Sequence, residues 1–426
     1  MSQAQSLSLK AQSFILIPNT HMFAHIDADA FFTSVLQRKN PSLKGKAVLA
    51  TGMGGGCVIA ASYPAKAYGV KTGMRVTEAK KLVPKAIVLP SDFLEACVAS
   101  EQLQSIIQEN ASLTERYSVD EWFLDLNTKT GGCPKNLKVW AQKLQSQMLY
   151  STDISVSFGI APSKLLAKMA SDYRKPAGIT VLFQTDIEAF LKDRSAEAIP
   201  GIGRRRALHA QAHRWNTAWD VANANLEVVQ RLFGKPGLSM QQELLGKSIE
   251  PICAIPAPPK SISRCRSFRP TGNQEDLCSQ LFSHLTRTVL KMRLQNLACQ
   301  RVTVWLRDKD YKNHIGHDCK LPQSIDTEEE LLPYVKSCFS KCFNKGNTYT
   351  QVGLGLMDMK PKSFPQYSLF QNPKQLEGCE KIQKALDKVH QKYGRDAVLR
   401  GSAIYTHTRR PSQNQPTMYG EILSCR

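Results

Sequence analysis

Carboxylates stand in two stretches whose neighbours otherwise call for a buried strand. HIDADAFFTSV, residues 25 to 35, carries Asp27 and Asp29, and YSVDEWFLDL, residues 117 to 126, carries Asp120 and Glu121. Burying one unpaired carboxylate is costly, and neighbouring carboxylates add mutual repulsion. The acids could cap strands or pair with nearby lysines. If the two strands are neighbours in one sheet, the acids could instead gather round divalent cations. Oxygen ligands of this kind favour Mg²⁺, and two such ions can hold the attacking and leaving oxygens of an in-line phosphoryl displacement.

The segments after these acids set the architecture. DISVSFGIAPSKLLAKMASDYRKPAGITVLF reads as strand, turn, helix, turn, strand, so strands alternate with helices in a first α/β or α+β domain ending near Phe183. From Asp186 to about Gly246 the pattern is short helices, including IPGIGRRRALHAQ. EPICAIPAPPK, residues 250 to 260, is Pro-rich and aperiodic, a linker. Beyond it the elements follow the order β-α-β-β-α-β, that of a ferredoxin-like small domain. FPQYSLFQN then breaks the pattern before a last helix, EGCEKIQKALDKVHQKYG.

At 426 residues the chain is long enough for two to four domains. No apolar run reaches the 18 residues a membrane span needs, and residues 1 to 20 lack the features of a secretory signal and read as a short extension. The net charge of +20 is spread along the chain, which suggests several modules facing a polyanion, most often nucleic acid. A basic ribosome-associated or merely soluble protein is the plainer alternative. Twelve cysteines are scattered without a CxxC, and Cys338 and Cys342 have no His or Cys partners nearby, so no zinc site is expected and a cytoplasmic location is.

Basic and hydroxyl groups supply the other half of a site. Tyr63 and Lys66 in SYPAK sit one helical turn apart, and Lys164 opens the helix of APSKLLAKM with Lys168 one turn on. A helix N-terminus with a lysine suits phosphate. Three donors and three acids from separate segments match the needs of a nucleoside triphosphate and its metals. GMGGG alone reads as a flexible loop.

Asp27 with Phe31 and Phe32, SYPAKAYGVKTGM, SVDE and GIAPSKLLAKMASDYRKPAGI together resemble the Y-family of translesion DNA polymerases, in order from about residue 22 to about 405. The likeness is closest to the bacterial DNA polymerase IV and UmuC-like branch. It implies an α+β, multidomain right-hand polymerase. The palm would be 21–36 and 90–185, the fingers 37–89, a helix-hairpin-helix thumb 186–249, the linker 250–260 and a ferredoxin-like little finger 261–362. Residues 363–426 would hold a clamp-binding peptide and tail. Asp27, Asp120 and Glu121, with the backbone carbonyl of Ala28, would bind two Mg²⁺ ions, whereas Asp29 matches an acid that is not usually a direct ligand. Phe31, Phe32, Tyr63, Lys66 and Lys164 would meet the dNTP, with Phe32 as steric gate against a 2′-hydroxyl. Lys66 stands where the family commonly has Arg, so a bidentate phosphate contact becomes a point charge. Trp122 is bulkier than the resemblance leads one to expect. Cys57 and Ile59 would roof the templating base loosely, implying low fidelity, and no second acidic cluster suggests proofreading.

Gly201 and Gly203 would let thumb amides approach a DNA phosphate, with Arg204, Arg205 and Arg206 adding charge. In the little finger Arg264 and Arg266 alternate on one strand, and Arg301 and Arg307 flank another, so one sheet face could lie along the DNA backbone. QYSLF resembles the peptide by which bacterial polymerases bind the β sliding clamp, Gln366 and Ser368 at the rim with Leu369 and Phe370 in an apolar hole. The expected partners are primer–template DNA, dNTP and the clamp, with the chain a monomer. A catalytically silent scaffold binding clamp and DNA is the second reading, and a palm-fold nucleotidyl cyclase the third.

Overall fold

The computed structural model describes residues 21–52, 55–128, 131–308, 314–362, 373–394, 397, 398 and 401. The chain divides into two compact units, one running to Ile255 and one starting at Pro256, so the division falls within the Pro-rich stretch.

In the first unit β1 (Phe23–Ala28) is buried at every position and turns into α1 (Phe31–Lys39) through Ala30, whose φ is 46°. That left-handed backbone is strained for a residue with a Cβ. The hydroxyls of Thr33 and Ser34 hold the turn by donating to the carbonyls of Ala30 and Asp29, at 2.8 and 2.6 Å. Then come β2 (Val48–Thr51), β3 (Val58–Ala61), α2 (Tyr63–Lys66), α3 (Val76–Leu82) and β4 (Ile87–Pro90). Their strands form a separate three-stranded sheet of order β3-β2-β4 over a small core that includes Leu49, Val58 and Ala79.

The chain returns through α4 (Phe93–Asn110), β5 (Thr114–Arg116), β6 (Glu121–Asp125), α5 (Leu137–Thr152), β7 (Val156–Ala161), α6 (Lys164–Tyr173) and β8 (Ile179–Val181). These strands with β1 form a five-stranded sheet, β5-β6-β1-β7-β8. Its two faces follow the period-two alternation of strands. Ala24, Ile26, Trp122, Leu124, Phe158 and Ile160 pack with α4 and α5, while Phe23 and Phe123 pack with α6. Gly159 lets α6 lie directly on β7, because a Cβ there would come within 1.9 Å of the Ala167 carbonyl oxygen. Helices α7 (Ile187–Lys192), α8 (Arg204–Ala212), α9 (Ala218–Ala222) and α10 (Leu226–Leu244) complete the unit.

The second unit contains β9 (Ser261–Thr271), α11 (Gln274–Leu294), β10 (Leu297–Asp308), β11 (His314–Ile325), α12 (Glu328–Cys342), β12 (Tyr349–Met357), β13 (Lys360–Pro361) and α13 (Pro373–Tyr393). The main sheet is antiparallel in order β11-β10-β12-β9, and β13 pairs with β10. Each crossover helix spans one intervening strand, the split β-α-β arrangement read from the sequence. Val302, Val304, Leu306, Val352, Leu354 and Leu356 face the core built with α11 and α12. Among the described residues no helix is long and apolar enough to cross a membrane.

Candidate active site

Pairing of β1 with β6 sets Asp27 directly opposite Glu121, and the Ala28 amide donates to the Asp120 carbonyl at 2.9 Å. Opposed residues of an antiparallel pair share a face, so one sheet end gathers the acids. Asp27 and Glu121 are 8% and 9% exposed. Burial pushes the Asp27 carboxyl up to about 8, with Lys175 pulling against it and the charges of Glu121 and Asp120 adding to the rise. Asp120 is also raised by burial, partly opposed by the Ser118 hydroxyl at 2.5 Å, and Glu121 raises it further. The three acids therefore act on one another.

Helix α6 and the turn after it line this acidic face with lysines. Lys175 reaches Asp27 at 2.7 Å and Asp172 at 2.8 Å. Burial lowers the affinity of Lys175 for its proton, but the two aspartates outweigh it, and its pKa ends above the ordinary lysine value. Lys168 pairs with Glu121. Lys164, expected beside the acids, is not there. Its ammonium donates to Glu115 at 2.7 Å and to the Pro251 carbonyl at 3.2 Å, and lies 4.9 Å from the centre of the Phe123 ring. The reason is direction and length: α6 starts just after Ala161, which pairs with Phe23 at the far end of β1 from Asp27, and its ten residues rise about 14 Å before the turn that carries Lys175. The lysine delivered to Asp27 is the one at the helix exit, in YRKPAG, which the sequence reading passed over. A signal was available there, since a lysine before Pro and Gly at a helix end is held in a fixed turn. Gly178 shows how tight that turn is, because a Cβ would lie 2.0 Å from the Arg174 carbonyl oxygen.

The smaller sheet contributes from the other side. The Tyr63 hydroxyl donates to Asp29 at 3.1 Å, and Asp29 also accepts from Ser157 and the Ala177 amide, both at 2.8 Å. With its oxygens so engaged, Asp29 ties α2, β7 and the turn before β8 to β1. Burial, then the negative charge and hydrogen bond of Asp29, hold the Tyr63 phenol above its ordinary value. The Lys66 ammonium sits 4.6 Å from the Tyr63 ring centre, and its pKa is lowered by burial and by the charge of Lys175. Phe32 is half-buried between the two sheets' cores, edge-on to Phe31 and Phe93 with ring centres 5.6 Å apart in each pair. Phe31, expected near the nucleotide, has its ring in the core at 2% exposure, so its side chain is not available. Trp122, at 0% exposure, is likewise core. Cys57 is exposed and bridges Arg75, and Ile59 packs into the smaller sheet's core.

Among the described residues no three acidic, His or Cys side chains form a ready-made metal cage. Each acid instead has another neighbour: Asp27 meets Lys175, Glu121 meets Lys168, and Asp120 meets Ser118. The donor set still fits a hard divalent cation. It is all oxygen, and burial and mutual repulsion already hold two of the three carboxyls above their ordinary values, a load that an added cation would relieve.

Elsewhere, Gly201 has φ 97° and, with Gly203, leaves open space before α8, where Arg204, Arg205 and Arg206 line a shallow depression with Leu208. The expectation of one sheet face carrying four arginines is corrected. Arg264 and Arg266 pair in register with Leu354 and Val352, so they point toward the helices, and Arg266 donates to Gln280 of α11 at 3.4 Å. Arg301 and Arg307 alternate with the core residues Val302, Val304 and Leu306 and occupy the opposite face, Arg301 meeting Asp358 at 2.9 Å. Between them lies Trp305, whose ring covers Gly353 so closely that a Cβ there would fall 2.1 Å from it. Gln366, Ser368, Leu369 and Phe370 lie outside the described residues.

Residues 26–172 match the model described as the impB/mucB/samB family, and residues 259–369 match that family's C-terminal domain. A DNA polymerase IV of Oceanobacillus iheyensis is 32% identical over 88% of this chain and 90% of its own length. Among solved structures, a Y-family DNA polymerase chimera matches with TM-score 0.68 at 24% identity, covering 79% of this chain and 98% of its own. An insertion ternary complex of Dbh DNA polymerase covers the same shares with TM-score 0.55 at 24% identity. Likeness at that identity establishes the fold, a right-hand polymerase architecture.

Proposed function

The chain belongs to the impB/mucB/samB family of Y-family DNA polymerases, and on that premise we propose that it extends a DNA primer along a template from dNTPs, across damaged bases and without proofreading. In this reading the primer 3′-oxygen attacks the α-phosphorus of the dNTP and pyrophosphate leaves. The observation that carries it is the register of Asp27 against Glu121, with Asp120 tied to the same strand end by the Ala28 amide.

Members of this family depend on a divalent metal. Asp27, Asp120, Glu121 and the carbonyl of Ala28 would hold it here, as two Mg²⁺ ions. Bound there, Mg²⁺ supplies charge stabilisation at the attacking and leaving oxygens. The chain's own groups do the rest. Lys175 would exchange its carboxylate partners for the triphosphate, joined by Lys66 and by the Tyr63 hydroxyl. Phe32, wedged between two cores, would present a rigid ring beneath the sugar and leave no room for a 2′-hydroxyl. Cys57 and Ile59 would offer a small, loosely fitting roof to the template base, which favours tolerance over fidelity. Gly201, Gly203 and Arg204 to Arg206 would position the duplex through phosphates. Residues 366–370 would recruit a sliding clamp, with the polymerase a monomer.

Primer extension with purified protein, Mg²⁺ and dNTPs on a template bearing an abasic site tests the proposal. Extension past the lesion supports it. DNA binding with no extension on any template would favour the silent scaffold.

A further inference from the structure

The last described helix, α13, has two faces of unlike charge. Glu380, Gln383, Asp387 and His390 recur three or four residues apart and therefore share one side. Arg293, at the end of α11, donates to Asp387 at 2.7 Å and to Glu380 at 3.2 Å, and also pairs with Asp326. Lys362 joins the same Asp326 and Glu380 at 2.7 and 2.8 Å. The Glu328 amide, at the start of α12, donates to Gln383 at 3.2 Å, and His390 pairs with the Val398 carbonyl at 3.0 Å. Gln383 and His390 are 4% and 2% exposed. These contacts fix the rotation of the helix, with its acids turned inward onto a largely buried guanidinium.

One exposed flank of the helix then carries Lys381, Lys384, Lys388 and Lys392, again three or four residues apart, beside the exposed Ile382 and Ala385. Lys384 lies 3.5 Å from Glu380, and Lys392 lies 5.1 Å from the Tyr393 ring centre. Among the described residues no carboxylate pairs with Lys381, Lys388 or Lys392 within 4.0 Å. Glu377 is the acid on that side. A surface lysine face often does no more than keep a helix soluble. Here the face is locked in orientation and keeps one sign over about 16 Å of helix, a length over which a duplex strand presents several phosphates.

We propose that this face of α13 is a second nucleic-acid contact, a rail along the phosphate backbone of duplex DNA, formed by residues other than Arg204–Arg206. Ammonium groups are point charges that hold phosphate without reading sequence. The choice of DNA as occupant rests on the polymerase reading above and on the sign of the face.

The test uses the full chain with Lys381, Lys384, Lys388 and Lys392 all changed to Gln, and a second variant with all four changed to Arg. Binding of a fluorescent primer–template is measured across a salt series. Each lost phosphate contact removes about 0.9 from the slope of log K against log salt, so the Gln variant should be shallower by about 2–4 and bind at least about tenfold more weakly at low salt. The Arg variant should keep the wild-type slope. Extension rate at saturating DNA should be the same in all three proteins. An unchanged slope in the Gln variant overturns the proposal, as does failure of the Arg variant to keep it. A normal slope with loss of clamp-stimulated synthesis would assign the face to a protein and also overturn it. If wild-type protein fails to extend primers, the polymerase reading falls, while the slope comparison still judges the rail.

Discussion

Lys164 sits in a structural ion pair and Lys175 at the proposed triphosphate contact, so replacing each with Met should give opposite results. Lys164 and Glu115 have side chains 8% and 15% exposed, and Glu115 also accepts from the Cys253 amide at 2.7 Å. Removing the ammonium leaves a shielded carboxylate without its main partner, a loss of about 3 kcal/mol for a buried pair. For a unit of this size that lowers the melting midpoint by about 6–12 °C. Lys175→Met should cost little stability, because Asp27, with its carboxyl already near 8, can take a proton instead of remaining a buried charge. Its cost should appear in catalysis. A lost charge-assisted contact to triphosphate is about 1.5–3 kcal/mol, or roughly 10- to 150-fold in kcat/KM for dNTP. The assay pairs thermal melts with single-nucleotide insertion kinetics at a temperature where both variants are folded. If Lys164→Met loses as much kcat/KM as Lys175→Met while melting normally, the assignment is refuted.

Phe32→Ala should raise the use of ribonucleotides relative to deoxynucleotides by at least about tenfold, ~1.4 kcal/mol of lost discrimination, and unchanged sugar selectivity would remove the gate. Gly353→Ala should destabilise the second unit by about 1–3 kcal/mol in urea melts, as overpacking does. Adding Trp305→Val should then cost less than the sum of the single changes, and strict additivity would contradict the contact. Deleting residues 366–370 should abolish stimulation by a sliding clamp and leave basal extension unchanged, and equal stimulation would count against the peptide.

Much of this was legible in the sequence because strand alternation is a local signal. HIDADA shows Ile26 and Ala28 alternating with His25 and Asp27, and the fold sends these sets to opposite sheet faces. The β-α-β-β-α-β order of the second unit was equally plain from periodicity. What failed were judgements of reach. Lys164 looked right as a helix N-terminus, but α6 runs along the sheet and delivers a different lysine to Asp27. Arg264 and Arg266 looked like an outward pair, yet alternation alone does not say which face is outward. Their cross-strand partners Leu354 and Val352 decide that, and pairing is a long-range fact. Phe31 and Phe32 are adjacent and identical in type, and only the packing of α1 separates the core ring from the half-buried one. Trp305 over Gly353 depends on register between β10 and β12, which no local pattern carries.

The most direct measurement compares primer extension by wild type, Asp27→Asn and Glu121→Gln in Mg²⁺, with primer–template affinity determined for the same preparations. The expected result is extension by wild type, none detectable by either variant, and affinities within a few-fold of one another. Normal extension by either variant would contradict the placement of the reaction between these two paired carboxylates.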